Sequence, residues 1–578
     1  MKEEWLLIAG LFALFLFGVI WFIVTNESRV KKRLLERIRS EWGNPPERTY
    51  ESEELQSIRE AYMNREKKHP SDSVIDNITW NDLDMDRVFA AINATQSSSG
   101  DEAVYHALRT PCTDTVVLER RDRAAEFFRS NGEVREKMQL HLSRIGRPKR
   151  YSVTSYLDLF MEFHTDPVIV HIIPLIFLVI CIVIIPFNVI TGILCLLGVL
   201  FYNVFNYYRI KGKVEPYFVC VNYIVNMVRF SEKICKEFKD YPELKDYIDR
   251  LEAAAGSLRP ILKESWFVSA NAGGISDNPA QLVYEYVNMV THLDLIAFGS
   301  ILKKIQFRTD DVSAMNETLG DLELCIAIAS LRERIPLWVR PEFDTEPGKK
   351  AFFEGIDLYH PLLKEPVANS ITEDRCVLLT GSNASGKSTF LKTTAINAIL
   401  AQTVYTVLGS RYCAPMFQIY SSMALSDDLE NEDSYYMVEI KSLKRIVEAS
   451  KNTDRKILCF VDEILRGTNT VERIAASSQI LKMFSSMDNC LCFAATHDIE
   501  LTYILENEFA NYHFREDMTD ATDDKPAEIT FSYCIHNGRS ETRNAIRLLD
   551  FVGYDKDITG QAEQMAVRFE KTGKWSMD

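Results

Sequence analysis

Cys376-Val-Leu-Leu-Thr-Gly381-Ser382-Asn383-Ala384-Ser385-Gly386-Lys387-Ser388-Thr389 is the stretch that decides how the C-terminal part of this chain folds. Apolar residues run into the spacing G-x-x-x-x-G-K-S, and Phe390 to about Leu400 has the texture of a helix. A strand that stops on a glycine-rich turn and restarts as a helix lets backbone N–H groups curl round an anion. The helix N-terminus adds a partial positive charge there. The spacing therefore predicts a triphosphate cradle made by Gly381, Ser382, Asn383, Ala384, Ser385, Gly386, Lys387, Ser388 and Thr389. Lys387 would reach the β- and γ-phosphates, and the Ser388 hydroxyl would ligate Mg²⁺. A glycine-rich turn without a ligand is the alternative, and it leaves the strand before and the helix after unexplained.

Two further apolar stretches end in groups suited to the same chemistry. Ile457-Leu-Cys-Phe-Val461-Asp462-Glu463 reads as a buried strand closing on two carboxylates. In nucleotide hydrolases of this layout the first acid belongs to the Mg²⁺ shell and a second carboxylate polarises the attacking water. Those roles fall to Asp462 and Glu463. Apolar residues followed by Asp-Glu are common by chance; their place about 75 residues after the cradle gives them weight. Leu491-Cys-Phe-Ala-Ala-Thr496-His497-Asp498 is a third buried strand, ending on a histidine.

The length of 578 residues suggests about three or four domains, and 47% hydrophobic content is ample for large cores. A net charge of −16 argues against a uniformly basic nucleic-acid-binding surface while leaving room for a local basic face. The twelve cysteines are scattered without a C-x-x-C pair, and Cys181, Cys195, Cys459 and Cys492 lie in apolar runs. Reduced, buried thiols in a cytosolic setting fit this better than disulfides or a zinc site.

The run from Trp5 to Val24 carries no charge and is long enough to cross a bilayer as a helix. A cleaved signal peptide is the competing reading, but no small-x-small site follows before Asn26-Glu27. Arg29, Lys31, Lys32, Arg33, Arg37 and Arg39 come next and would remain cytoplasmic, placing the N-terminus outside. A second apolar region, Pro167 to Tyr208, is about twice one span and is broken by Pro186-Phe187-Asn188. Basic residues flank it on both sides, so it reads as a hairpin re-entering the membrane; a buried helix pair in a soluble domain is the alternative. The expected fold is α + α/β: a long-helix core, three transmembrane helices and a P-loop ABC-type ATPase domain. The boundaries are 1–26 anchor, 27–79 cytosolic linker, 80–166 helical core, 167–208 hairpin, 209–340 second core part or lever, and 341–578 ATPase domain.

The motifs also carry a family likeness. Thr380 to Thr389, Asp462-Glu-Ile-Leu-Arg466-Gly467-Thr468-Asn-Thr470 and Ala495-Thr496-His497 resemble the ATPase of the DNA mismatch repair MutS family. That family reads T-G-P-N-x-x-G-K-S-T, D-E-x-x-R-G-T-S-T and A-T-H. General ABC-type ATPases share the layout, but their L-S-G-G-Q signature is missing here. Ser434-Tyr-Tyr-Met437-Val-Glu439 is similar to the family's S-T-F-M-x-E element. The resemblance implies that Ser434 completes the ATP site of a partner protomer, and that His497 senses the γ-phosphate through water. Stretches from Asn81 to Phe127, and Asp357-Leu-Tyr-His360-Pro361, resemble the family's core entry and the opening of its ATPase domain. The chain departs from the pattern at several points, among them three that bear on the reading. Ser382 replaces the usual Pro, the stretch before Trp80 is too short for a mismatch-reading domain, and an apolar hairpin interrupts the core.

The resemblance implies ATP and Mg²⁺ as cofactors and a homodimer through the ATPase domains; the apolar runs and their basic flanks imply a multi-pass membrane protein with its ATPase in the cytoplasm. Three functions remain open at this stage. The first is an ATP-driven conformational machine acting on DNA or DNA structures. The second is an ATP-switched membrane scaffold for protein or envelope partners without DNA. The third is a transporter, which the lack of intramembrane Asp, Glu, Lys or Arg disfavours.

Overall fold

The computed structural model describes residues 25, 28–147, 153–265, 279–344, 346, 348–382, 385–423, 435–452, 454–519, 528–540, 546, 549, 552–573 and 575. They form two compact units. The expected first span at Trp5 to Val24 lies outside the described residues, as do Asn383, Ala384 and Ser434.

One unit comprises Asp72–Ala91, Leu108–Glu119 and Ile335–Asp578. Its described residues include ten strands: β1 Glu342–Phe343, β2 Phe353–Leu358, β3 Asn369–Glu373, β4 Cys376–Thr380, β5 Arg411–Ala414, β6 Phe417–Ser422, β7 Lys456–Asp462, β8 Cys490–Ala495, β9 Phe509–Thr519 and β10 Glu528–Asn537. The main sheet has the order β10-β9-β4-β8-β7-β6 and is parallel except for β10 at its edge. A smaller sheet has the order β1-β5-β2-β3. Every residue of β4 and β8 is buried, as expected for central parallel strands covered on both faces. That is why both read as unbroken apolar runs instead of alternating ones.

Register sets what emerges where. Leu379 on β4 lies opposite Ala495 on β8, and Ala495 lies opposite Asp462 on β7. The three chains therefore leave the sheet side by side at its carboxyl edge, where ligands sit in open α/β folds. The Lys387–Thr403 helix that follows β4 is buried almost throughout. Its polar side chains are paired accordingly: Gln402 exchanges two hydrogen bonds with the Phe417 backbone, at 2.8 and 2.6 Å. Asn397 accepts from Leu408 N at 2.8 Å.

Residues 72–91, read from sequence as linker and helical core, group with this unit. Asp82 accepts hydrogen bonds from Ser421 Oγ at 2.6 Å and Met423 N at 2.9 Å, at the carboxyl end of β6. Asp76, whose side chain caps the Asn77–Asp82 helix, also pairs with Arg445 at 2.6 Å.

The other unit comprises Met1–Ser71, Ile92–Ala107 and Arg120–Arg334, and its described part is helical. Its longest element is the 50-residue helix Val189–Phe238. The second half of that helix is packed: Val221, Ile224, Val225 and Val228 are all fully buried. The first half carries exposed Ile190, Leu194, Leu197 and Phe201. A buried polar knot lies elsewhere in the unit, with Asp101 accepting from Arg48 at 2.9 Å and Arg147 at 2.7 Å.

Of the three expected membrane spans, the first lies outside the described residues, and the two arms of the hairpin differ in length. Among the described residues one helix, Val189–Phe238, is long and apolar enough to cross a membrane. The apolar region does break near Pro186, and Asn188 caps the second helix by accepting from Thr191 N at 3.1 Å. The first arm, Ile169–Ile184, has only 16 residues. At a rise of 1.5 Å per residue that is about 24 Å, short of the roughly 30 Å hydrocarbon core. Counting charge-free residues overstated it, because the turn consumes part of the run.

Candidate nucleotide-binding site

The loop after β4 needs its glycines. Gly381 has φ +138°, and a Cβ there would lie 2.7 Å from the Phe514 carbonyl oxygen. Gly386 has φ +107° and forms the N-cap of the Lys387–Thr403 helix. Both conformations favour a residue without a side chain. Within the loop, Ser385 Oγ donates to Ser382 O at 2.7 Å. Lys387 is buried, and its Nζ donates to Gly381 O at 2.7 Å and Ser382 O at 2.9 Å. Ser388 and Thr389 are exposed in the helix's first turn. A compact cation, a helix N-terminus and a tight loop are thereby stacked at one point, a setting that favours phosphate oxygens.

The carboxylates stand opposite. Ser388 Oγ donates to Asp462 Oδ2 at 2.5 Å. The other oxygen of Asp462, Oδ1, is buried with no hydrogen-bond partner among the described residues. Burial raises the pKa of this carboxyl, and the Ser388 contact offsets part of the rise. A buried, unsatisfied carboxylate oxygen next to a hydroxyl is a hard-oxygen donor set that fits Mg²⁺.

Glu463 follows at φ +53°, with its backbone N–H on Ala495 O at 2.9 Å. Its Oε1 lies 3.1 Å from His497 Nε2, and its Oε2 pairs with Arg466. Burial would raise the Glu463 pKa, but His497 and Arg466 outweigh it and hold the carboxyl at about 2. The same His497 Nε2 is 3.4 Å from Lys387 Nζ. The loop bearing His497 is fixed on both sides. Thr496 N donates to Leu379 O at 3.0 Å, and Asp498 takes two bonds from Arg473, at 2.8 and 2.5 Å.

Lys387, Ser388, Asp462, Glu463 and His497, picked out separately along the sequence, are thus brought together at one sheet edge. The described part of the 381–389 loop lies beside them. The Tyr435–Ser450 helix begins just after Ser434.

A protein-family comparison agrees with this geometry: residues 377–570 match MutS domain V. That segment is thus a MutS-type domain V. The DNA mismatch repair protein MutS of Rickettsia bellii is 26% identical over 296 residues, 49% of this chain and 32% of that protein. MutS protein homolog 4 of Homo sapiens is 29% identical over 273 residues, 45% of this chain and 28% of that protein. The chain spans about a third of the length of the curated relatives it matches.

Three parts of this MutS domain V were not singled out from the sequence. Arg473 and Asp498 form the clamp beneath His497, an ion pair 25 residues apart. Tyr533, at φ +53° on a bulge in β10, puts its ring against Gly386; a Cβ on that glycine would lie 3.3 Å from Tyr533 Cδ1. Asn369 holds the bulge, donating to Tyr533 O at 3.0 Å and accepting from Ile535 N at 2.8 Å. The buried strand ends carried a sequence signal. These contacts had none beyond their residue types.

Proposed function

We propose that this chain is an ATP hydrolase that couples nucleotide binding and turnover to conformational change, working as a homodimer through residues 341–578. The observation that carries the reading is the convergence of Lys387, the Ser388–Asp462 pair and the Glu463–His497 pair at the carboxyl edge of one parallel sheet. Lys387 and the loop bind the triphosphate. Ser388 and Asp462 hold Mg²⁺, which neutralises phosphate charge when bound. Glu463, ionised and aimed by His497 and Arg466, orients the attacking water. His497 touches both the phosphate-side lysine and the catalytic acid, so it is placed to sense the γ-phosphate. Ser434 of each protomer completes the partner's site. Greater affinity of ATP for the closed dimer supplies the drive, and hydrolysis releases it.

The reading extends to location and client. The exposed apolar side chains of the Val189–Phe238 helix support membrane anchorage through 167–208, with the ATPase domain in the cytoplasm. The client is DNA or a DNA structure, held through its phosphates, by analogy with the relatives' names. The test is the ATPase rate of the detergent-purified full chain with and without duplex, mismatched and four-way-junction DNA. A rate change that disappears at high salt supports DNA as the client. Intact turnover indifferent to every DNA assigns the chain to protein or envelope partners. Absence of turnover with Mg²⁺ and ATP overturns the reading.

A further inference from the structure

The turn that carries Glu463 is held in an unfavourable shape. Glu463 has φ +53° and Leu465 has φ +56°, two left-handed non-glycine residues within three positions. Backbone of that kind persists only where the surroundings over-determine it. Ile464 and Leu465 are buried, so the N–H groups of the turn are shielded from water and require protein partners.

The turn's backbone is held from three sides, two of which take its N–H groups and one its carbonyl. From β8, Ala495 O takes the N–H of Glu463. From the Thr470–Ser485 helix, Ser477 Oγ donates to Ile464 O at 3.4 Å. The third side is the Tyr435–Ser450 helix, where Glu439, nearly fully buried, accepts the N–H of Leu465 through Oε1. The N–H of Arg466 adds to the stabilisation of the same carboxylate, against a burial that pushes its pKa up. One turn earlier on that helix, Tyr436 closes on Gly467: a Cβ there would lie 2.8 Å from Tyr436 Cβ. Glu439 touches neither Glu463 nor His497 by hydrogen bond, and nothing in the nucleotide site assigned above uses it.

We propose that Glu439 is the positioning residue for Glu463. Its buried carboxylate grips the Leu465 N–H, locks the left-handed turn, and so aims the Glu463 side chain at His497. A carboxylate suits the task because it only accepts, and two consecutive N–H groups face it. An amide retains one acceptor, whereas an alanine retains none and leaves a buried donor unmatched. The inference rests on the ATPase reading for its kinetic consequence and stands without that reading for its structural one.

The test uses Glu439→Ala and Glu439→Gln in the full chain. Glu439→Ala is expected to lower kcat by about 10- to 100-fold, with KM for ATP within about 3-fold, because the acid is misaimed while the phosphate loop is untouched. Glu439→Gln is expected to recover part of that loss. In a Glu463→Gln background, Glu439→Ala should leave the residual rate unchanged, since the residue it positions is already neutralised. A full additional loss in that background, or an unchanged kcat in Glu439→Ala, overturns the proposal. Amide hydrogen exchange at Leu465 gives an answer independent of turnover, with protection expected in the parent and about 10-fold or faster exchange in Glu439→Ala. If the parent chain does not hydrolyse ATP, the functional reading fails, and unchanged Leu465 exchange is then the result that sinks this one.

Discussion

The Ser388 hydroxyl donates to Oδ2 of Asp462 at 2.5 Å, tying the first turn of a helix to the end of a strand more than seventy residues later in the chain. With Asp462 Oδ1 buried and unsatisfied beside it, the pair is the part of the site most suited to a divalent cation. Ser388→Ala should therefore raise the Mg²⁺ concentration needed for half-maximal turnover by about 10-fold or more, since even outer-shell partners carry that much metal affinity. A titration of rate against Mg²⁺ at saturating ATP measures it. An unshifted curve removes Ser388 from the metal shell.

Glu463→Gln should preserve ATP binding and lower turnover by about 10²- to 10⁴-fold, the usual span for removing a general base. With hydrolysis blocked, the ATP-bound dimer should accumulate. Light scattering during gel filtration with ATP is the check, and a monomer under those conditions argues against closure by nucleotide.

The Glu463 carboxyl is held at about 2, below the ordinary 4.5, so it stays ionised through the pH range in which a free glutamate would titrate. A lowered pKa contributes stability that is present above the unfolded value and is lost as pH falls towards the folded one. The turnover profile should thus lack an acid limb from this group between about pH 4 and 6. Arg466→Ala removes one of the two groups holding the pKa down, and should bring such a limb up into that window. Identical profiles for parent and variant would show that Arg466 does not control the acid.

Ser434→Ala should slow turnover while leaving nucleotide binding by the monomer near the parent value. Equal hydrolysis rates in parent and variant exclude a composite site built from two protomers.

Much of the centre was legible before any fold was known, because local chemistry fixes it. Gly381 and Gly386 are required by backbone conformation, Asp462 ends the apolar strand β7, and His497 follows the apolar strand β8 by two residues. Arg473 with Asp498, and Asn369 with the Tyr533 bulge, were not legible. The second pair joins positions more than 160 residues apart, and no periodicity or spacing marks such a contact. The apolar hairpin was legible as a break near Pro186 but not as a length, since hydropathy counts residues and a turn uses some of them.

Asn369 spans the bulge of β10 with both ends of its amide, so Asn369→Ala leaves the Ile535 N–H without its acceptor and loosens the strained Tyr533 backbone. The loss should be about 1–3 kcal/mol locally. Hydrogen exchange at Ile535 should accelerate by about 10- to 100-fold. Unchanged protection there means the bulge is held by other contacts.

The Val189–Phe238 helix carries exposed apolar residues in one half and a packed face in the other, on one continuous helix in which Pro216 leaves out a single N–H donor. Successive side chains on such a helix are turned by about 100°. One residue inserted between Tyr208 and Val221 would swing Val221, Ile224, Val225 and Val228 off their partners while leaving the outer half as it was. Seven inserted residues would return them to within about 20° of their seats. The reach of this rod can thus grow through evolution only in steps of whole turns, and its length is set by phase as much as by distance.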